Sequence, residues 1–174
     1  MKHSFKLLTF TFIVLFTFTF FSETYAQKAK AGRYEYSIAG DPIDFLNRDA
    51  LNVTFEFQTD KINSVTIFGT FYNLDTKAIK TAFALGASYR WYPNFIPDGK
   101  KCIEGFAIGP FINGIFYDKY SKVGSVFGLG PEFAYKWVFG GFVVEPTFRI
   151  YIFTGSERTA FHSWGLGLNL GYAW

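Results

Sequence analysis

The residues best suited to chemistry lie close together near the C-terminus: Glu157, His162 and Ser163. A serine nucleophile, an imidazole base and an orienting carboxylate form a hydrolytic centre when they lie within hydrogen-bond reach. His162 is the only histidine besides His3. Neighbours on a strand point to opposite faces, so His162 and Ser163 meet only if the chain loops there. No His, Cys, Asp or Glu cluster has metal-ligand spacing, so no metal is expected. The single Cys102 excludes an internal disulfide and a cysteine-built metal site. Gly165 to Gly171 (G-L-G-L-N-L-G) lacks the spacing and following helix of a dinucleotide fingerprint, so no cofactor is expected. A second chemical set is larger and dispersed: Arg33, Glu35, Glu56, Arg90, Glu132, Lys136, Glu145 and Arg149.

These charges gain meaning from the elements that carry them. In Leu51–Gln58, Leu51, Val53, Phe55 and Phe57 alternate with Asn52, Thr54, Glu56 and Gln58. Ala82–Trp91, Phe127–Trp137, Phe142–Ile152 and Trp164–Trp174 alternate in the same way. Ser64–Tyr72 and Phe106–Tyr117 do so less cleanly, and Arg33–Ile38 supplies a weaker first strand. A period of two puts the large apolar residues on one strand face and the small, polar or charged ones on the other. The charges fall on that second face. Eight strands are predicted, an even number that suits an up-and-down antiparallel barrel. Thr59-Asp60-Lys61 and Gly140-Gly141 read as short turns, and Pro93–Lys101 as a longer turn at the same end. Leu74–Lys80, Asp118–Val123 and Thr154–Phe161 read as loops at the opposite end. Gly40–Asp49 reads either as an extension of the first strand or as a short helix. Pro110, Pro131 and Pro146 fall in mid-strand, where a closed barrel offers no free edge, and local bulges are the expected remedy.

The N-terminus carries basic Lys2, His3 and Lys6, an uncharged and mostly apolar run from Leu7 to Phe21, and small residues before Ala26-Gln27. That is the layout of a cleaved secretory signal peptide over residues 1–26, with a barrel domain over 27–174. The apolar run is short for a membrane helix, which needs about 20 residues. The chain carries 17 basic and 14 acidic residues. Such a weak balance, with no basic run, gives no reason to expect nucleic acid as a partner.

Alternation alone does not say which face is wet. A soluble barrel turns its apolar face inward, and a membrane barrel turns it toward lipid. Both ends of the chain favour lipid. Trp91, Trp137 and Trp174, with Tyr89, Tyr135 and Tyr172 two residues earlier, fall at one end of strands four, six and eight. Aromatic rings gather at the membrane–water interface in this way. Eight strands enclose an interior just wide enough for side chains. The four acids and four bases are therefore expected to pair across the lumen as a polar plug.

The ending G-L-G-L-N-L-G-Y-A-W resembles the terminal strand of bacterial outer-membrane barrels, which the insertion machinery reads. Gly128 to Phe142 (G-L-G-P-E-F-A-Y-K-W-V-F-G-G-F), taken with that ending, resembles a family of small Gram-negative outer-membrane β-barrels catalogued as a domain of unknown function, of OmpA/OmpX-like eight-stranded architecture. The likeness spans Phe83–Trp174. It implies an all-β, eight-stranded antiparallel transmembrane barrel in the outer membrane, and it brings no catalytic residues. A monomer is expected. Its partners would be outer-membrane lipid and lipopolysaccharide, and the insertion machinery acting through Tyr172 and Trp174. The expected role is structural or envelope-interacting, without an open pore. Three alternatives stay open: a surface lipid A-modifying enzyme using His162, Ser163 and Glu157, a narrow channel, and a soluble periplasmic lipid-binding barrel.

Overall fold

The computed structural model describes residues 34–73, 81–93, 103–119, 122–154 and 163–174. The predicted signal peptide, Arg33, Glu157 and His162 lie outside the described residues, as do residues 74–80 and 94–102. Among the described residues the order is β1 (Tyr36–Gly40), α1 (Pro42–Arg48), β2 (Ala50–Asp60), β3 (Asn63–Asn73), β4 (Thr81–Trp91), β5 (Gly105–Lys119), β6 (Lys122–Phe139), β7 (Phe142–Ile150), β8 (Ile152–Thr154) and β9 (Trp164–Ala173).

From β1 to β7 each strand pairs antiparallel with the next, and β9 pairs with β7 on one side and β1 on the other, which closes the sheet. β7 and β8 both pair with β6 and in the same register, on either side of Tyr151. They are one barrel strand interrupted once, so the fold is a closed, all-β, eight-stranded antiparallel barrel. Two turns mark one end of the barrel. Lys61 and Ile62 link β2 to β3, and Gly140-Gly141 links β6 to β7. The second has positive φ at both residues, 57° and 92°, as a tight hairpin that matches strand twist requires. At the other end β5 and β6 stay paired as far as Lys119 and Lys122, so strand occupies most of the loop predicted at Asp118–Val123.

Gly40–Asp49 resolves as a helix. Asp41 caps it, its Oδ1 accepting from the amides of Ile43 at 2.8 Å and Asp44 at 3.1 Å, and Pro42 follows in the first turn. β1 pairs with only four residues of β2 and four of β9, and α1 packs against both strands where β1 ends. The amide of Leu168, on β9 beyond the reach of β1, donates instead to Asp41 Oδ2 at 2.9 Å. One carboxylate thus caps the helix and replaces a missing strand partner.

The prolines are not held in bulges, contrary to the sequence expectation. Pro110 and Pro131 lie directly opposite each other across β5 and β6. Their ring nitrogens therefore face outward from that ladder, toward β4 and β7. There pairing lapses opposite Tyr89-Arg90 and opposite Ile150-Tyr151, then resumes in unchanged register. β6 and β7 skip pairing likewise around Pro146. A two-residue gap, rather than an inserted residue, absorbs each missing N–H. The preceding glycines allow close approach of the strands. A Cβ on Gly109 would lie 1.7 Å from the Tyr89 carbonyl oxygen, and one on Gly130 1.9 Å from that of Ile150.

The interior is layered. Tyr92, Ile103, Ala107, Ala134, Val143 and Ala173 form an apolar cluster, and Ala82, Ala84, Ile115, Tyr117 and Val126 form another. Polar side chains occupy much of the rest. Gly109→Ala and Gly130→Ala are each expected to lower the urea midpoint of the folded barrel sharply. Gly69→Ala, whose Cβ would sit 3.9 Å from its nearest neighbour, is expected to shift it little. Equal midpoints for all three variants would contradict the close approach.

Candidate functional site

Strand alternation sends Glu56 of β2, Arg90 of β4, Glu132 and Lys136 of β6, and Glu145 and Arg149 of β7 into the lumen. There they form one connected array. The Arg90 guanidinium is fully buried and lies at its centre. Its Nε donates to Glu132 Oε1 at 2.7 Å, Nη1 to Glu56 Oε2 at 2.8 Å, and Nη2 to Glu145 Oε1 at 3.0 Å. Lys136 Nζ bridges Glu56 and Glu145, the latter at 2.9 Å, and donates to Ser37 Oγ at 2.9 Å. Arg149 Nε pairs with the second oxygen of Glu132.

Neutral groups complete the array. Tyr92 and Ser64 hydroxyls donate to Glu56 Oε1, the former at 2.7 Å. Ser88 Oγ donates to Glu132 at 2.9 Å and Asn169 Nδ2 to Glu145 at 3.1 Å. The three carboxylates balance the three cations. Desolvating an ion at this depth costs several kcal/mol, and only close pairing with satisfied hydrogen bonds offsets it. Both conditions hold here. The arrangement crosses the lumen with fixed, mutually neutralised charge.

The other sequence-predicted residues fall elsewhere. Glu35 is exposed and stands outside the array, because β1 begins at Tyr36 and Glu35 sits at the open rim, where water solvates it. Ser163 is exposed, and its carbonyl accepts the Tyr151 amide at 2.7 Å. Trp91 and Trp137 are exposed near the turn end. Trp174 stacks on Tyr36 and Tyr172 with ring centroids 6.0 and 6.1 Å away. Tyr172 is 8% exposed, so it forms the covered layer of this aromatic cluster rather than a projecting rim residue.

Sequence reading missed Tyr92, Ser64, Ser88 and Asn169 as partners of the carboxylates. For the last three the inward parity was visible, but a serine or asparagine on a polar face carries no mark that tells a ligand of a buried charge from a filler. It also missed a cavity of about 90 Å³ beside the array, lined in part by Asp41, Asp44, Asn113, Thr147 and Arg149. No protein-family model matches the chain, and no curated protein or solved structure is similar to it. The barrel is compatible with the OmpA/OmpX-like architecture implied by the sequence resemblance, and no match supports a particular family.

Removing the central cation would strand three carboxylates. Arg90→Ala is expected to destabilise the barrel by about 3–5 kcal/mol in urea unfolding, the range for breaking a buried ion pair. A loss below about 1 kcal/mol, as for an exposed pair, would contradict the central role of Arg90.

Proposed function

We propose that this chain is an outer-membrane β-barrel with a structural or envelope-interacting role and no conducting pore. The observation that carries this reading is the inverted polarity of the barrel. Leu51, Leu85, Ile112, Phe127, Ile152 and Leu166 are each more than half exposed on its outer surface, whereas Glu56, Arg90, Glu132, Lys136 and Glu145 are buried inside. In water such an apolar surface would be an aggregation hazard, and in lipid it is the stable arrangement. Strand length agrees. The eleven residues of β4 extend about 36 Å at 3.3 Å each, enough to cross the apolar band of a barrel membrane when tilted. The signal-like N-terminus and the aromatic C-terminal strand, which would engage the insertion machinery, support the same compartment.

The lumen bears on the alternatives. A soluble lipid carrier needs an apolar interior, and this one is charged. A channel needs a continuous water path, and Arg90 with its partners occupies the cross-section. On this reading the chain serves as mechanical support of the envelope, or makes contacts with lipopolysaccharide or a partner at the end opposite the turns; the lumen does not bear on a surface enzyme using His162, Ser163 and Glu157.

In an outer-membrane fraction, the unboiled protein is expected to run fast on a denaturing gel and to slow on boiling. Recovery in the soluble periplasm without a band shift would overturn the reading. Leu85→Arg places a charge in the outward apolar face and is expected to cost about 2–4 kcal/mol if that face meets mid-bilayer lipid. An unchanged urea stability in lipid vesicles would place Leu85 in water. Planar-bilayer recordings of the purified protein are expected to show no discrete conductance, and a unitary step would replace the plug by a channel.

A further inference from the structure

The barrel wall changes character beside α1. β1 ends at Gly40, opposite Leu170 of β9, and its last partner on β2 is Thr54. β2 reaches back to Ala50 and β9 to Trp164, so both extend toward the loop end with no β1 residue paired between them. α1 packs against both strands instead. Its two sides differ. Asp41 and Asp44 line the cavity of about 90 Å³, beside Asn52 of β2 and Gly167 of β9. Ile43 and Leu46, on the opposite side of the helical turn, are 48% and 39% exposed. A short helix thus stands between the lumen cavity and the outside of the barrel, where a hydrogen-bonded strand stands elsewhere.

A helix of seven residues is not stable by itself and depends on what it packs against. Asp41 makes that dependence specific. It is 6% exposed, and its two carboxylate oxygens have separate tasks. Oδ1 accepts from the first-turn amides of Ile43 and Asp44, and Oδ2 accepts from the Leu168 amide of β9. One side chain therefore both caps the helix and fastens it to the wall. Losing either set of bonds frees the carboxylate and weakens the other. From this coupling we propose that α1 is a side gate of the lumen cavity, which opens by concerted local unfolding of residues 41–49 with Asp41 as its latch. The β2–β3 and β7–β9 ladders on either side are untouched by that opening, so the barrel stays folded while the gap between β2 and β9 joins the cavity to the outside. The ion-pair array lies beyond the cavity, so the gate serves the cavity and not a path through the barrel.

The test is amide hydrogen exchange of the ¹⁵N-labelled, folded full chain, followed by NMR. The amides read are Phe45, bonded to the Asp41 carbonyl, Asp49, bonded to the Asp44 carbonyl, and Leu168. The proposal expects one common protection for all three, set by an opening far more frequent than that of the β3–β4 ladder. Asp41→Asn keeps the size of the side chain and leaves a single acceptor oxygen, so it cannot serve both tasks. It is expected to speed exchange at the three amides together by about tenfold, as for one lost hydrogen bond, and to leave the β3–β4 ladder unchanged. The second readout is access to the cavity. With Cys102, the single cysteine, replaced by serine, Thr147→Cys puts a thiol on the cavity lining, where Thr147 is 7% exposed. Its reaction with methyl methanethiosulfonate is expected to quicken about tenfold when Asp41→Asn is added. Leu168 exchanging independently of Phe45 and Asp49, or all three exchanging only together with the β3–β4 ladder, would overturn the gate. That comparison needs no variant, so it decides even if Asp41→Asn fails to fold. Thiol labelling indifferent to Asp41→Asn would mean that the cavity fills from another side and would overturn the gate as well. None of these readouts depends on the compartment in which the barrel resides.

Discussion

Arg90 is the constraint around which the barrel interior is arranged. A fully buried guanidinium is tolerable only when its donors are met by charge, and here carboxylates from β2, β6 and β7 meet it at 2.7 to 3.0 Å. Those carboxylates would repel one another without Arg90, and Lys136 and Arg149 complete the balance. The array draws side chains from β1, β2, β3, β4, β6, β7 and β9 into one set of contacts. It therefore acts as a cross-tie between walls that are not neighbours in the sheet. Replacing it piecemeal leaves an uncompensated charge, so its members stand or fall together.

That polar interior and the apolar exterior are two consequences of one strand pattern. A tilted, closed sheet has one concave and one convex face, and each strand residue must choose one of them. Where backbone pairing lapses, at Pro110, Pro131 and Pro146, the gaps are short and the register survives them. Gly109 and Gly130 let the neighbouring carbonyls draw close, so the wall stays narrow where it lacks ladder bonds. On the proposed membrane reading, an unpaired backbone group there would have no water to turn to, and this local tightness would matter most.

The barrel is least regular where β1 stops at Gly40. There α1 and Asp41 take over from strand pairing, and the cavity lies inside that stretch of wall. The array on one side and this irregular wall on the other divide the lumen into a sealed part and a roomier part. The first is built for stability. The second is lined in part by Asn113, Thr147 and Arg149.

The sequence by itself determined the strands, their faces and which residues point inward. Side-chain period is a local property, and Leu51–Gln58 or Ala82–Trp91 display it without reference to the rest of the chain. It also carried the inward set Glu56, Arg90, Glu132, Lys136, Glu145 and Arg149. Only the tertiary structure decided which of these meet. Glu56 and Arg90 come from non-adjacent strands 34 residues apart, and their contact depends on strand tilt and register accumulated around the closed sheet. The same closure left Glu35 at a solvated rim and buried Tyr172 under the aromatic cluster. It also made Asp41 a surrogate strand partner for Leu168. None of these has a local signature, because each depends on where a distant strand ends.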